Sequence, residues 1–253
     1  MATMDPQRTL PERRIDGSTD GSLIRRIDRD ALAWAIDAAL LRPDAAADDL
    51  VDCVEECLSL GVKALCVLPR QLRRARSLVD SAGGGLDLCG VVDFPLGSHS
   101  TEEKVAEARR LINAGADELD AVINLGWLKS RRLDELRREL DALRRIASSK
   151  VLKIIVECPL LDADEAAMAA ELCLDAGVDY VKTGTGTRGA ATTEHVFILR
   201  SAVGSSLDVK AAGGIRSLRD AAVMFEAGAN RLGTSSAARI IAEHDELNQG
   251  RRK

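Results

Sequence analysis

Four segments of this chain are written to one plan: SLGVKALCV, NAGADELDAV, DAGVDYVKT and EAGANRLGT. Each has a glycine (Gly61, Gly115, Gly177, Gly228), then a small residue, a polar one and an apolar run. A glycine there suits the left-handed position just past a helix end, so each segment reads as a handover from helix to strand. Between them, β-branched apolar runs alternate with Ala-, Leu- and Arg-rich stretches of helical period, as repeated strand–helix units around a parallel sheet require. The candidate strands are 32–40, 62–68, 86–94, 116–125, 152–158, 179–183, 207–211 and 231–234. Eight such strands predict a (β/α)8 TIM barrel of the α/β class, and 253 residues are ordinary for one such domain.

The ends of the chain differ from its middle. Residues 1–28 are rich in Pro, Gly, Arg and Asp and read as a short flexible N-terminal extension whose last part could turn helical, with the barrel over 29–245 and a frayed tail over 246–253. The net charge of -5 is spread in both signs along the chain, and aromatic residues make up 2%. That leaves neither a basic footprint nor stacking platforms, which argues against a nucleic-acid or membrane-surface partner. The six cysteines form no CxxC pair, the three histidines complete no metal-ligand spacing with them, and no secretory signal is visible, so a reduced, cytoplasmic, metal-free protein is expected.

Five residues on from each repeat glycine stand Cys66, Asp120, Lys182 and Gly233, on the second, fourth, sixth and eighth candidate strands. Side chains from alternate strands share the interior layers of such a barrel, and chemistry sits at the C-terminal strand ends, so Asp120 and Lys182 are expected on the inward face. Asp37, Lys153 and Lys210 also fall within candidate strands. Burying an isolated ion costs several kcal/mol or more. Three amines and two carboxylates in one low-dielectric mouth are therefore expected to pair, with one lysine deprotonated and nucleophilic toward a carbonyl. A neighbouring ammonium favours that neutral amine, and a carboxylate can move protons. No cofactor is called for.

The glycine pair in AAGGIR (Gly213, Gly214) follows the seventh strand, and Ser235 and Ser236 lead from the eighth strand toward a helix. Exposed backbone N–H groups and a helix N-terminus make an anion site, and barrels of this kind often hold phosphate after strands seven and eight. The segment 183–192 offers the hydroxyls of Thr183 and Thr185, and Arg188, to the same place.

The blocks AWAIDAALLRPDA, LCVLP, VVDFPLGSHSTEEKVAEARRLINAGADELDAVINLGWLKS, LKIIVEC, YVKTGTG, VKAAGGIR and RLGTSSA resemble the deoxyribose-phosphate aldolase family, in its order, from residue 31 to residue 241. The resemblance implies a class I aldolase, a lyase that reversibly cleaves 2-deoxy-D-ribose 5-phosphate to acetaldehyde and D-glyceraldehyde 3-phosphate in deoxyribonucleotide catabolism. It implies Lys182 as the Schiff-base lysine, Lys210 as the second lysine and Asp120 as the proton-relaying group. Asp37, Cys66 and Lys153 would line the pocket, and Gly213, Gly214, Ser235 and Ser236 would cradle the phosphate. It further implies a homo-oligomer, a dimer in the first instance. The chain departs from the family pattern at Ala38, Ala39, Leu68 and Gly184, where histidine, threonine, a polar or tyrosine residue, and serine are common. Those changes bear on substrate fit, so two other readings stand beside the first: a class I aldolase for another phosphorylated sugar, and a non-catalytic sugar-phosphate-binding paralogue.

Overall fold

The computed structural model describes residues 27–249; the expected extension over 1–26 and the tail over 250–253 lie outside the described residues. Eight parallel strands close into a barrel in sequence order: β1 Ile36–Leu40, β2 Ala64–Val67, β3 Asp87–Val92, β4 Glu118–Val122, β5 Val151–Ile155, β6 Tyr180–Lys182, β7 Asp208–Ala212 and β8 Arg231–Thr234. The helices are α1 Arg29–Trp34, α2 Ala47–Leu60, α3 Pro69–Ser81, α4 Thr101–Asn113, α5 Leu125–Lys129, α6 Leu133–Ile146, α7 Ala163–Asp175, α8 Thr193–Val203, α9 Leu218–Glu226 and α10 Ala237–Gln249. The chain is a (β/α)8 barrel.

The strands alternate, and the alternation sorts the interior. Leu65, Leu88, Leu119, Ile154, Val181, Val209 and Leu232 belong to the continuous apolar core formed with the helices, while Cys66, Cys89, Asp120, Lys153, Lys182 and Lys210 stand on the other face of the same strands. The hydrophobic effect therefore acts mainly outside the sheet, while the barrel's inside holds the charged groups together with buried Val91, Val122 and Ile155.

The four repeat glycines all have positive φ: 72° at Gly61, 101° at Gly115, 64° at Gly177 and 110° at Gly228. The polar residue two places later has a role that spacing alone did not reveal. Asp117 N donates to Leu88 O at 2.9 Å while its Oδ2 accepts from Leu88 N at 3.0 Å. Asp179 treats Leu152 in the same way, at 2.9 and 2.7 Å, and Asn230 treats Val209, at 2.8 and 3.0 Å. Each side chain is itself held by an arginine from a helix: Arg76, Arg144 and Arg200. Three even strands thus clamp the start of the odd strand before them. Lys63, the corresponding residue of β2, carries no acceptor and pairs with Asp87 instead.

Several boundaries differ from expectation. The run 32–40 was expected as one strand, but its first part is α1, because the Asp28 side chain accepts from Ala31 N at 2.7 Å and caps a helix before β1 begins. Helix α10 runs through Gln249, so residues 246–249 are helical. The expected third and fifth strands are also shorter, ending at Val92 and Ile155, shortly before Asp93 and Glu157, non-glycine residues with φ of 49° and 55°.

The repeat glycines are separable by what surrounds them. A Cβ at Gly61 meets nothing within 4 Å, so Gly61→Ala should cost about 1 kcal/mol, the penalty of left-handed backbone alone. At Gly115 a Cβ would stand 2.7 Å from Arg76 Cγ, which must move from its bond with Asp117. Gly115→Ala should therefore cost about 2–3 kcal/mol, measured as the difference in urea-unfolding free energy; equal losses at the two sites would refute this account of the clamp.

Candidate active site

Strand register places the charged residues side by side. Asp120 is the Cα partner of Lys153, Ile155 that of Lys182, and Lys182 that of Lys210. All three lysines then converge on one carboxylate. Lys153 Nζ donates to Asp120 Oδ1 at 2.9 Å, and Lys182 and Lys210 both donate to Asp120 Oδ2 at 2.8 Å. Lys210 also donates to Asp37 Oδ2 at 2.5 Å, and Lys153 lies 3.4 Å from the same oxygen. Asp37, Asp120, Lys153 and Lys210 are wholly buried; Lys182 keeps 3% of its surface exposed.

The parity argument holds at all four positions. Asp120 and Lys182 meet inside, and Cys66 Sγ lies 3.6 Å from Lys210 Nζ. A Cβ at Gly233 would approach Lys210 Cε to 3.2 Å and Ala212 Cβ to 2.9 Å. The absent side chain on β8 is what gives the Lys210 stem its path to Asp120.

Three members of the cluster were not expected. Glu118 Oε2 lies 2.5 Å from Lys153 Nζ, and Arg231 NH1 donates to Asp37 Oδ1 at 2.7 Å and lies 3.7 Å from Glu118 Oε1. Cys89 Sγ donates to Asp120 Oδ1 at 3.1 Å. Period-two counting would have found Glu118 two places before Asp120 and Arg231 two before Gly233; Cys89 shows itself only through its register with Cys66. Four cations thus face three carboxylates in a space closed to water.

The charge states follow from this geometry. Burial would raise the Asp37 and Asp120 carboxyls, but the cations around them outweigh it and hold both below the ordinary value of 3.8: Lys210, Lys153 and Arg231 for Asp37, and the three lysines for Asp120. Burial likewise opposes charge on Lys153 and Lys210, yet Asp120 and Asp37 beside them raise both above 10.5. The Cys89 thiol is pushed up by burial and by the neighbouring Cys66 and Asp120. Cys66, Cys89 and Asp120 bring possible metal-ligand atoms within 4.8 Å of one another, but a divalent cation there would have to displace the ammonium groups that Asp120 holds.

The expected anion site lies at the same end of the barrel. Gly213 and Gly214 have φ of 113° and 76°, and a Cβ on Gly213 would come 3.2 Å from Gly186 Cα, so two loops meet backbone to backbone after β6 and β7. Ser235 is exposed and Ser236 half-buried just before α10, whose first N–H groups have no acceptor within the helix. Thr185 is half-buried and shares a 2.8 Å hydrogen bond with Thr187, whereas the buried Thr183 hydroxyl is engaged with Ala212 O and N at 3.2 and 3.0 Å. Arg188 is exposed.

A closed eight-stranded parallel barrel with a buried cluster of paired charges inside it places this chain among the (β/α)8 enzymes. It belongs to the DeoC/LacD family of aldolases, whose model it matches over residues 32–241. It is 41% identical over 213 residues to the deoxyribose-phosphate aldolase of Thermococcus gammatolerans, covering 83% of this chain and 95% of that one. Deoxyribose-phosphate aldolase 2 of Staphylococcus aureus is 40% identical over 211 residues, covering 83% and 94%. The tetrameric deoxyribose phosphate aldolase of Aeropyrum pernix superimposes with a TM-score of 0.82 at 34% identity, over 88% of this chain and 95% of that one.

The network's pH behaviour is fixed by these directions. Carboxyls held low contribute stability that is complete above their unfolded value near 4 and is lost as pH falls through the folded one; lysines held high contribute stability that is lost only as pH rises past about 10.5. Between about pH 5 and pH 10 the contribution should be constant. Lys153→Met leaves Glu118, Asp37 and Asp120 short of a cation and should cost about 3–5 kcal/mol, with a smaller acid-side decline, because the remaining cations no longer hold the carboxyls as low. Urea unfolding of both proteins from about pH 2 to pH 7 checks this, and acid-side declines of equal size would contradict it.

Proposed function

We propose that this chain is a class I aldolase acting on 2-deoxy-D-ribose 5-phosphate, with Lys182 forming the imine. The observation that carries the reading is the single oxygen, Asp120 Oδ2, that lies 2.8 Å from both Lys182 and Lys210. Four cations over three carboxylates leave a surplus that one neutral amine removes. Lys182, whose ion-pair partner is Asp120 alone among the described residues, is the least tied of the three lysines.

The neutral Lys182 amine adds to the substrate aldehyde, and loss of water gives a protonated imine. That imine withdraws electrons as the sugar hydroxyl loses its proton and the carbon–carbon bond breaks, releasing D-glyceraldehyde 3-phosphate and leaving an enamine. The enamine takes up a proton, and water returns acetaldehyde and free Lys182. Asp120, held as a carboxylate, is a conduit for protons between Lys182, Lys210 and the substrate, and Lys210, held charged by Asp120 and Asp37, is their reserve. Asp37, Cys66 and Lys153 hold Lys210 and Asp120 in place. The phosphate sits on Gly213, Gly214, Ser235 and Ser236, with Thr185 on the adjoining turn.

We further assign the protein to the cytoplasm and to a homo-oligomer, a dimer testable by sedimentation. No described helix is long and apolar enough to cross a membrane.

Borohydride reduction in the presence of acetaldehyde should add the two-carbon fragment to the peptide bearing Lys182, read by mass. Lys182→Ala should abolish the adduct and lower turnover by about 1000-fold or more. Lys210→Leu removes a cation from beside the imine lysine and should move the pH–rate profile to higher pH. An adduct elsewhere, or none, rejects the assignment; an unmoved profile rejects the role of Lys210.

A further inference from the structure

Glu157 stands just beyond β5 and combines three costs. Its backbone is left-handed at φ 55° and ψ 54°, a conformation that a side chain with a Cβ adopts at a cost of about 1 kcal/mol or more. Its side chain is wholly buried, and its Oε2 has no hydrogen-bond partner among the described residues. Buried acceptors are rarely left unpaired, and strain of this kind persists only where the surroundings enforce it.

Much of that surrounding comes from the end of the strand that carries Lys182 and the segment just after it. Val156 N donates to Lys182 O at 3.0 Å and Cys158 N to Thr183 O at 2.7 Å, on either side of Glu157. The Glu157 carboxylate supplies the next link, as Oε1 accepts from Thr185 N at 3.0 Å. The left-handed turn thus swings a side chain into the place of the next rung of the β5–β6 ladder. Gly184 makes room for it, since a Cβ there would stand 2.8 Å from Oε1, while the next atoms, Pro159 Cδ and Ala212 O, are at ordinary distances of 3.6 and 3.8 Å. One residue past Thr185, Gly186 packs on Gly213: a Cβ on Gly186 would come 3.3 Å from Gly213 Cα.

We propose that Glu157 is a positioning residue for the phosphorylated half of the substrate. Its carboxylate fixes the 184–186 turn, and through that turn the Thr185 hydroxyl and the wall against which Gly213 is seated. Gly184 is the residue that admits it. The inference rests on the aldolase reading above and assigns Glu157 no contact with the reacting atoms.

The test separates the two halves of the reaction. Glu157→Ala should raise KM for 2-deoxy-D-ribose 5-phosphate about tenfold and lower kcat less than threefold, while borohydride trapping of acetaldehyde on Lys182 stays within twofold. Glu157→Gln, which keeps an acceptor for Thr185 N, should recover most of the KM. Gly184→Ala should raise KM about threefold in the native background and not further in Glu157→Ala, where the oxygen it would strike is gone. An unchanged KM in Glu157→Ala, a Gln variant as impaired as the Ala variant, or trapping that falls in step with KM would each overturn the proposal. If the unaltered protein gives no acetaldehyde adduct at all, it is the aldolase reading that has failed.

Discussion

Everything inside this barrel is arranged around the cost of keeping Asp120 charged where water cannot reach. A buried carboxylate is tolerable only with cations in contact, and Asp120 has three lysines on its two oxygens. Those lysines need counter-charges in turn, and Asp37 and Glu118 supply them, with Arg231 completing the floor. The cluster is therefore tightly coupled: neutralising any member but Lys182 strands a neighbour. Among the described residues Lys182 pairs with Asp120 alone, and it keeps a slight exposure where Lys153 and Lys210 keep none, which makes it the lysine least tied to the cluster.

Much of this could be read from the sequence, because it rests on two periodicities. The repeat glycines fix where each even strand begins, and alternation then decides which side chains face inward, so the barrel and the Asp120–Lys182 pairing follow from counting. Glu118 and Arg231 obey the same rule and escaped because each stands at a strand's first residue, where charge is ordinarily solvated. Cys89 and Glu157 lie beyond such counting. Cys89 is defined by register with a neighbouring strand, and Glu157 by a backbone turn that reverses the alternation it would otherwise follow. Helix α1 was hidden for a different reason: LAW fits a buried strand as well as a helix, and the Asp28 cap decides between them.

The two ends of the barrel differ in kind. At the entry end, Asp117, Asp179 and Asn230 hold backbone, with arginines outside them, and nothing there needs a ligand. At the exit end glycines, hydroxyls and the α10 terminus are left with spare donors. Departures from the family pattern at Ala38, Ala39 and Gly184 fall on strands or turns at the exit end and leave the entry-end clamps untouched.

The clamps also divide the barrel into quarters. They tie β3 to β4, β5 to β6 and β7 to β8 through short-range links, so each pair is a unit that local sequence can assemble. What joins the units is chemistry-bearing: Asp120 comes from one pair, Lys153 and Lys182 from the next, Lys210 and Arg231 from the next, and Asp37 and Cys66 from the first two strands. A half-assembled barrel would hold unmatched buried charges of one sign on each piece. Pairing among these buried charges thereby favours the complete ring over any partial one.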